Sequence, residues 1–117
     1  MDTQVRDFYG RVLYKFSDNQ IRDFYGRVLF KYNSNEMRDF YGRILYKFSG
    51  DNISEFAGPI KYKFDGSVLK DFYGRVMYKV SNNQIRDFYG QCLYKYDSSL
   101  SKEALMALFV IIIDNPH

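Results

Sequence analysis

The chain contains few of the residues on which active sites and metal centres are usually built. Among its 117 residues there is one cysteine, Cys92, and one histidine, His117, and tryptophan is absent. A single cysteine excludes an intramolecular disulfide, and the sequence has no cluster of cysteines and histidines with the spacing of zinc ligands. A glycine-rich phosphate-binding loop is also absent. The composition therefore predicts a protein that is not an enzyme and that uses no metal and no cofactor.

Long apolar segments are equally scarce. The one extended apolar run, Leu105 to Ile113, is followed at once by Asp114 and falls well short of the roughly 20 residues that span a bilayer. Insertion into a membrane as an integral protein is therefore not expected. The amino-terminal segment has no apolar run, which predicts the absence of a signal peptide and a cytoplasmic location.

What the sequence does contain is one short unit repeated six times between Thr3 and Ser98. The unit is 16 residues long, and a glycine marks the same place in every copy: Gly10, Gly26, Gly42, Gly58, Gly74 and Gly90. A phenylalanine always stands two residues before this glycine and an acid three residues before it. The common helical, leucine-rich and propeller repeats run from about 20 to 50 residues. A shorter unit instead predicts two short strands and two tight turns.

Residue types place the strands and turns within the unit. Valine, isoleucine, phenylalanine and tyrosine dominate it, and these residues prefer a pleated, half-buried surface. One turn is predicted at residues that tolerate positive φ: Asp18-Asn19, Ser34-Asn35, Gly50-Asp51, Gly66-Ser67 and Asn82-Asn83. The other turn is predicted at Tyr-Gly, where glycine permits a left-handed conformation.

The length of the Tyr-Gly loop decides which residues face inward. With two-residue loops and strands of six residues, the largely apolar inward face of the second unit carries Ile21, Asp23, Val28, Phe30 and Tyr32. The outward face then carries Gln20, Arg22, Phe24, Leu29, Lys31 and Asn33. A three-residue Phe-Tyr-Gly loop is the alternative, because Asp at the first and Gly at the fourth position suit a type I turn. That alternative changes which residues face inward and which face outward.

Twelve strands in one meander would leave two exposed edges, so closure into a barrel is expected. The tail, residues 99–114, is predicted to be an apolar helix buried inside it, with Ser101 as a possible cap. A thirteenth strand through Val110 to Ile113 is the alternative, because these residues are β-branched. The whole chain, 1–117, is then a single mainly-β domain: a closed antiparallel barrel of about twelve strands around a central helix.

The acid before each glycine has two interpretations. In a closed barrel the acids Asp7, Asp23, Asp39, Glu55, Asp71 and Asp87 would form a ring, which could bind cations or share protons. Alternatively, each acid accepts hydrogen bonds from the backbone of its own turn or pairs with a neighbouring arginine. The second interpretation is favoured because every copied hairpin would need such an acid.

Two sets of residues are candidates for binding. One is an invariant lysine five residues after each glycine: Lys15, Lys31, Lys47, Lys63, Lys79 and Lys95. With the arginine column they could hold an anionic ligand such as a phospholipid or a nucleic acid. Because acids nearly balance the bases at a net charge of +3, a solvated outer face is favoured over nucleic-acid binding.

The second set lies in the fourth unit, where Ala57, Pro59 and Lys61 replace the usual tyrosine, arginine and leucine. This departure indicates either drift in one tolerant copy or a seam where a ligand or partner docks. In the sixth unit Cys92 replaces valine or isoleucine and is expected to act as a small buried hydrophobe.

The glycine-centred hairpin repeated around an axis, between Thr3 and Ser98, resembles the bacterial β-flower domains, whose function is largely unknown. The predicted architecture, a twelve-stranded barrel threaded by an apolar carboxy-terminal helix, is similar to the tubby-like and scramblase-related fold. Members of that fold bind phosphoinositides or lipids, but the near-identical 16-residue repeats depart from tubby-like sequences, so no lipid-binding residue can be carried over to this sequence.

The expected function is that of a non-catalytic binding or structural module whose partner the sequence does not identify. Anionic-ligand binding through the basic columns is one alternative. A second is a self-associating scaffold, a homo-oligomer, because the 12 tyrosines and 11 phenylalanines exceed what one small core needs.

Overall fold

The computed structural model describes residues 3–114 and is a closed antiparallel barrel of twelve strands around one helix. The strands are β1 (Thr3–Asp7), β2 (Val12–Ser17), β3 (Gln20–Arg22), β4 (Val28–Tyr32), β5 (Glu36–Asp39), β6 (Ile44–Ser49), β7 (Asn52–Glu55), β8 (Ile60–Phe64), β9 (Val68–Asp71), β10 (Val76–Ser81), β11 (Gln84–Asp87) and β12 (Cys92–Tyr96). The helix, α1, is Lys102–Asp114. Each strand pairs with its neighbours in the chain, so the structure consists of six hairpins, numbered one to six in chain order.

The barrel closes between its first and last strands. Val5 pairs with Tyr96, and the backbone N–H of Asp97 donates to the carbonyl oxygen of Gln4 at 3.2 Å. In return, Asp97 Oδ1 accepts a 2.9 Å hydrogen bond from the N–H of Gln4. Closure leaves no exposed sheet edge for another chain to pair with, and the predicted fold class is confirmed.

All five turns of the first kind lie where they were predicted, but only two of them have positive φ at both residues. Asp18 and Asn19 connect β2 to β3, and both have positive φ, at 52° and 61°. Two consecutive left-handed residues match the right-handed twist of the flanking strands. The same pair of conformations recurs at Asn82 and Asn83.

The predicted two-residue Tyr-Gly loop is wrong, and the three-residue alternative is the one observed. In hairpin one the N–H of Gly10 donates to the carbonyl oxygen of Asp7, and the N–H of Asp7 donates to that of Arg11, both at 3.0 Å. Gly10 has φ of 89°, which only glycine adopts easily. The loop is therefore Phe-Tyr-Gly, a turn followed by a left-handed residue, and it brings a bulge into the next strand.

The bulge corrects the expected division between inner and outer faces. In hairpin two Ile21 pairs with Phe30, but the next residue, Arg22, pairs with Val28. Leu29 is the extra residue, so Val28 shares the outer face with Arg22. Leu29, predicted to face outward, packs partly against the core.

The helix fills the interior. Its residues from Ala104 to Ile112 are all buried, and the ring of Phe109 packs against Phe64 at 5.1 Å and is stacked on Tyr78 at 5.7 Å between ring centroids. The tail is therefore a helix, not a thirteenth strand. It begins at Lys102 rather than at residue 99, because Ser101 caps it by accepting a 3.1 Å hydrogen bond from the N–H of Ala104.

Candidate binding surface at the aromatic end of the barrel

The topology gathers the five Phe-Tyr-Gly loops and the Phe-Ala-Gly loop of hairpin four at one end of the barrel. Loops that connect odd strands to even strands in a closed meander lie on the same side, and these are the loops after β1, β3, β5, β7, β9 and β11. Their large apolar side chains are exposed: Phe8, Tyr9, Phe24, Tyr25, Phe40, Tyr41, Phe56, Phe72, Tyr73, Phe88 and Tyr89. We call this set the aromatic end. Sequence analysis counted these residues as surplus to the core but did not predict their shared location.

The aromatic rings are strongly exposed and regularly arranged. The tyrosines are 80 to 90 % exposed and the phenylalanines 54 to 62 %. Within hairpin one the rings of Phe8 and Tyr9 meet edge to face with centroids 5.6 Å apart, and Phe40 and Tyr41 repeat this geometry at 5.5 Å. Five of the six loops therefore present a preformed pair of rings to the solvent, and the loop of hairpin four presents Phe56 alone.

Grooves run between neighbouring loops. A cavity of about 570 Å³ has Val28 and Leu29 of hairpin two on one side and Phe40 and Tyr41 of hairpin three on the other. Equivalent residues of hairpins one and two line a cavity of about 420 Å³. The grooves have apolar floors, and an arginine lines each of them.

The acid of each repeat holds its loop in place. In hairpin one Asp7 Oδ1 accepts hydrogen bonds from the N–H groups of Tyr9 and Arg11 at 2.9 and 3.0 Å. Its Oδ2 accepts a 2.8 Å bond from Arg11 Nε. Asp39 makes the same set of bonds to its own loop. This geometry matches the structural interpretation of the acid column, in which each carboxylate belongs to its own turn.

These bonds shift the ionisation of the acids. Partial desolvation raises the pKa of Asp7. The hydrogen bonds from the backbone and guanidinium of Arg11 and from the N–H of Tyr9 lower the pKa by more than desolvation raises it. The net pKa lies below the ordinary value of 3.8, and Asp23 and Asp39 behave alike. At Asp71 the hydrogen bond from the N–H of Arg75 is the largest effect, and the pKa is again lowered. Within residues 3–114 no three acids, histidines or cysteines are grouped as metal ligands.

Hairpin four interrupts the pattern at this end. Ala57 is exposed where a tyrosine stands in the other loops, and Pro59, which has no N–H, cannot donate to Glu55 as Arg11 does to Asp7. Glu55 instead forms an ion pair with Lys61, whose Nζ donates a hydrogen bond to Glu55 Oε1 at 3.2 Å. That hydrogen bond raises the pKa of Lys61, and the negative charge of Asp114 adds to the shift.

The predicted seam in hairpin four borders a groove. Pro59 and Lys61 line a cavity of about 440 Å³ together with Phe72 and Tyr73 of hairpin five. Ala57, the third residue predicted there, does not line it. The cavity is equivalent to the other grooves, so the fourth hairpin changes its lining rather than creating it.

The six predicted lysines lie on the outer wall of the barrel, where five of them face another cation. Five stand directly opposite a basic residue on the neighbouring strand: Lys15 opposite Arg22, Lys31 opposite Arg38, Lys63 opposite Lys70, Lys79 opposite Arg86, and Lys95 opposite Arg6. Lys47 stands opposite Ser54. We call these eleven cations the basic wall. On the other neighbouring strand Lys47 stands opposite an acid, Glu36. Among the described strand pairs, Glu36 is the one acid that stands opposite a residue of the basic wall.

The arginines of the basic wall are held against the loops. Arg6 Nη1 donates to the carbonyl oxygen of Gly10 at 2.9 Å, and Arg22 makes the same bond to Gly26. The wall also touches the aromatic end, because Lys15 Nζ lies 5.8 Å from the ring centroid of Phe24 and Lys47 Nζ 5.2 Å from that of Phe56. The cations are therefore directly behind the exposed rings.

The opposite end of the barrel has a different character. It carries the loops at residues 18–19, 34–35, 50–51, 66–67 and 82–83, which are made of Asp, Asn, Ser and Gly. Four acids lie there: Asp18, Asp51, Asp65 and Asp97. We call this the polar end. The protein thus has an aromatic end, where four of the six loop acids are ion-paired with arginines and the basic wall lies behind the rings, and a polar end with four further acids.

Cys92, singled out from the sequence, lines the equivalent groove between hairpins six and one, with Phe8 and Tyr9 on the other side. Cys92 is partly buried, and its Sγ donates to the carbonyl oxygen of Tyr94 at 3.6 Å. His117 lies outside the described residues.

Comparison with known protein families, with curated proteins and with solved structures gave no match. The helix of the described chain is too short to cross a membrane. The geometry of the surface therefore carries the functional argument.

Proposed function

We propose that this protein is a non-catalytic binding module whose basic wall holds a partner that presents a row of anionic groups. The observation that carries the proposal is the placement of five of the six predicted lysines directly opposite another cation. Like charges opposite each other across strands destabilise a sheet. An anionic partner would reverse that cost, because each of its charges would lie between two cations.

The chemistry of the wall suits phosphate, sulfate or carboxylate groups. Arg6 and Arg22 are already oriented, because Nη1 of each donates to a glycine carbonyl oxygen and Nη2 to a glutamine Oε1. Their remaining N–H groups can donate to an anionic group. Lys31 and Lys79, in contrast, are exposed at the ends of flexible side chains. The wall thus combines fixed and adjustable donors around the barrel.

The test uses heparin, a soluble sulfated polyanion, immobilised on a column. We expect the protein to be retained at low salt and to elute as the salt concentration rises, because salt screens exposed charges beyond about 10 Å at 0.1 M. Replacing Lys31 and Lys79 by glutamine should shift elution to lower salt.

A compensated variant separates the wall from the net charge. Lys31→Gln combined with Asp18→Asn keeps the formal charge at +3, because one positive charge is lost from the wall and one negative charge from the polar end. It should elute earlier than the wild type. Failure of the wild type to bind at low salt, or elution of the compensated variant together with the wild type, would contradict the proposal.

A further inference from the structure

We propose that the anionic partner is the surface of a phospholipid bilayer, on which the protein docks with its aromatic end. The inference rests on the function proposed above and adds the partner and the orientation.

The aromatic end has the composition of a surface that enters a membrane interface. Its eleven exposed rings stand on one end of the barrel. Exposed apolar patches of this kind on a protein in water often mark a site of interaction with another protein or with a membrane. Tyrosine favours the boundary between headgroups and acyl chains, because its ring is apolar and its hydroxyl is polar. Tyr9 and Tyr89, the most exposed rings at 83 and 90 %, would reach this boundary first.

The grooves suit the same partner. The groove between hairpins two and three offers an apolar floor, Val28 and Leu29, with Arg27 alongside. Arg27 Nε bonds to Asp23, and the arginine side chain is 77 % exposed. A lipid has the matching chemistry, an apolar chain beneath an anionic headgroup.

The charges favour one orientation. The basic wall adjoins the aromatic end, and the polar end carries Asp18, Asp51, Asp65 and Asp97 on the opposite side. The shortest dimension of the protein is 22 Å, so the polar end lies beyond the screening length of about 8 Å at physiological salt when the aromatic end contacts the bilayer. An anionic bilayer would therefore attract the basic wall without strongly repelling the acids of the polar end. Of the six acids in the aromatic loops, Asp7, Asp23, Asp39 and Asp71 are already ion-paired with arginines, which offsets their charge.

A second copy of the chain is a poorer occupant of this surface. Two aromatic ends facing each other would bring two basic walls together, and each wall carries cations already opposed to one another. A bilayer with anionic headgroups presents the opposite charge and a continuous apolar layer beneath it. The observations therefore favour the bilayer.

The test measures co-sedimentation of the full chain with vesicles. One set is phosphatidylcholine alone, and the other contains about one third phosphatidylserine. We expect binding to the anionic vesicles to be at least about tenfold stronger, because several cations act together. In one variant, serine replaces Phe24, Tyr25, Phe40 and Tyr41. Its binding to the anionic vesicles should be at least about tenfold weaker than that of the wild type, and it should keep most of its retention on heparin.

A variant that should bind more strongly is also tested, because misfolding of a variant could explain a loss of binding but not a gain. Ala57→Tyr supplies the tyrosine that hairpin four lacks, and it should strengthen binding to the anionic vesicles. The matched control, Ser34→Tyr, places the same ring in an exposed loop at the polar end, and it should leave vesicle binding unchanged. Equal gains from both variants would overturn the proposed orientation.

The outcomes separate this inference from the function on which it rests. Retention on heparin without binding to anionic vesicles would overturn the bilayer proposal and leave the anion-binding function standing, with a nucleic acid as the next partner to test. Loss of both would overturn both. If the serine variant changes only the mass measured by light scattering, from an oligomer to a monomer, the aromatic end is a self-association surface and the bilayer proposal is wrong.

Discussion

The phenolic hydroxyl of Tyr46 donates a 2.7 Å hydrogen bond to Oδ2 of Asp114, the last residue of the central helix. At the other end of the helix Lys102 forms an ion pair with Asp51. Tyr46 lies on β6 and Asp51 in the turn that follows it, so both polar contacts are with one side of the barrel. Tyrosine recurs at the position of Tyr46 in four other hairpins, so this bond does not by itself distinguish one rotation of the helix from another. Asp51 is distinctive, because the equivalent turn positions carry asparagine or serine.

The Tyr46 contact predicts a stability difference. Burial and the bond to Asp114 raise the pKa of Tyr46, and Tyr46→Phe should lower the free energy of unfolding by about 1 kcal/mol, the usual contribution of such a bond. Phe30 already occupies the equivalent position in hairpin two, so the ring itself is tolerated. Chemical denaturation measures the change.

Tyr94→Phe is the control for this prediction. Tyr94 is 7 % exposed, close to the 8 % of Tyr46, but its hydroxyl has no hydrogen bond to any residue within 3–114. An equal loss of stability in both variants would mean that the bond to Asp114 contributes nothing specific.

The central helix predicts a large effect of charge in the core. Leu108 is completely buried, and Leu108→Asp would place an unpaired carboxylate in the centre of the barrel, where burying a charge is very costly. We expect the variant to lose cooperative thermal unfolding or to aggregate. Leu108→Met, which nearly conserves volume, should cost less than about 1.5 kcal/mol. A cooperatively folded Leu108→Asp protein with wild-type melting would refute the role given to the helix.

The loop glycines predict unequal responses to the same substitution. Gly26 has φ of +90° with open space around it, so Gly26→Ala should cost about 1 to 2 kcal/mol from backbone strain alone. Gly58 is the exception, since its φ is not in the left-handed region, although an added Cβ would lie 3.3 Å from Glu55 Cβ. Gly58→Ala should therefore destabilise the protein less. Denaturation midpoints measure the stability of the two variants. A larger loss of stability in Gly58→Ala than in Gly26→Ala would contradict the prediction.

The acids of the loops predict a loss of stability at low pH. The folded-state pKa values of Asp7, Asp23, Asp39 and Asp71 are lowered from 3.8, so the unfolded chain binds protons more readily. Their contribution is complete above the unfolded pKa, and it is lost as the pH falls below about 4 and passes through the lower folded values. The free energy of unfolding, measured from pH 7 down to pH 2, should decline in that range.

An asparagine variant checks the assignment of this decline. Asp71→Asn keeps an oxygen that can accept the N–H of Arg75 but removes the titrating charge. Its stability should depend less on pH below about 4 than that of the wild type. If the two pH profiles run parallel, the loop acids are not the source.

Several features of the fold followed from residue types and their spacing. The turns at Asp18-Asn19 and Asn82-Asn83 were predicted because Asp and Asn tolerate positive φ, and both residues of each pair adopt it. The helical tail was predicted because a segment apolar on all sides must be buried, and Phe109 and Val110 are indeed at the centre of the core. The strand alternation also placed Ile21 and Phe30 correctly on the inner face.

The inner and outer faces were partly mispredicted for a local reason. A loop of two residues and a loop of three differ by one residue, and the bulge that accompanies the longer loop absorbs the difference. It moved Val28 outward and Leu29 inward. The residues Asp-Phe-Tyr-Gly are compatible with both loops, so composition alone did not decide between them.

The period of the glycines, the alternation along the strands and the apolar tail were determined by the sequence itself, because each depends on residues close together in the chain. Closure of the sheet decided the rest. It joined Val5 to Tyr96, gathered the exposed Phe and Tyr rings at one end, and set Lys95 against Arg6. These neighbours are produced by strand register and by the handedness of the loops, and those are properties of the assembled barrel rather than of any one unit.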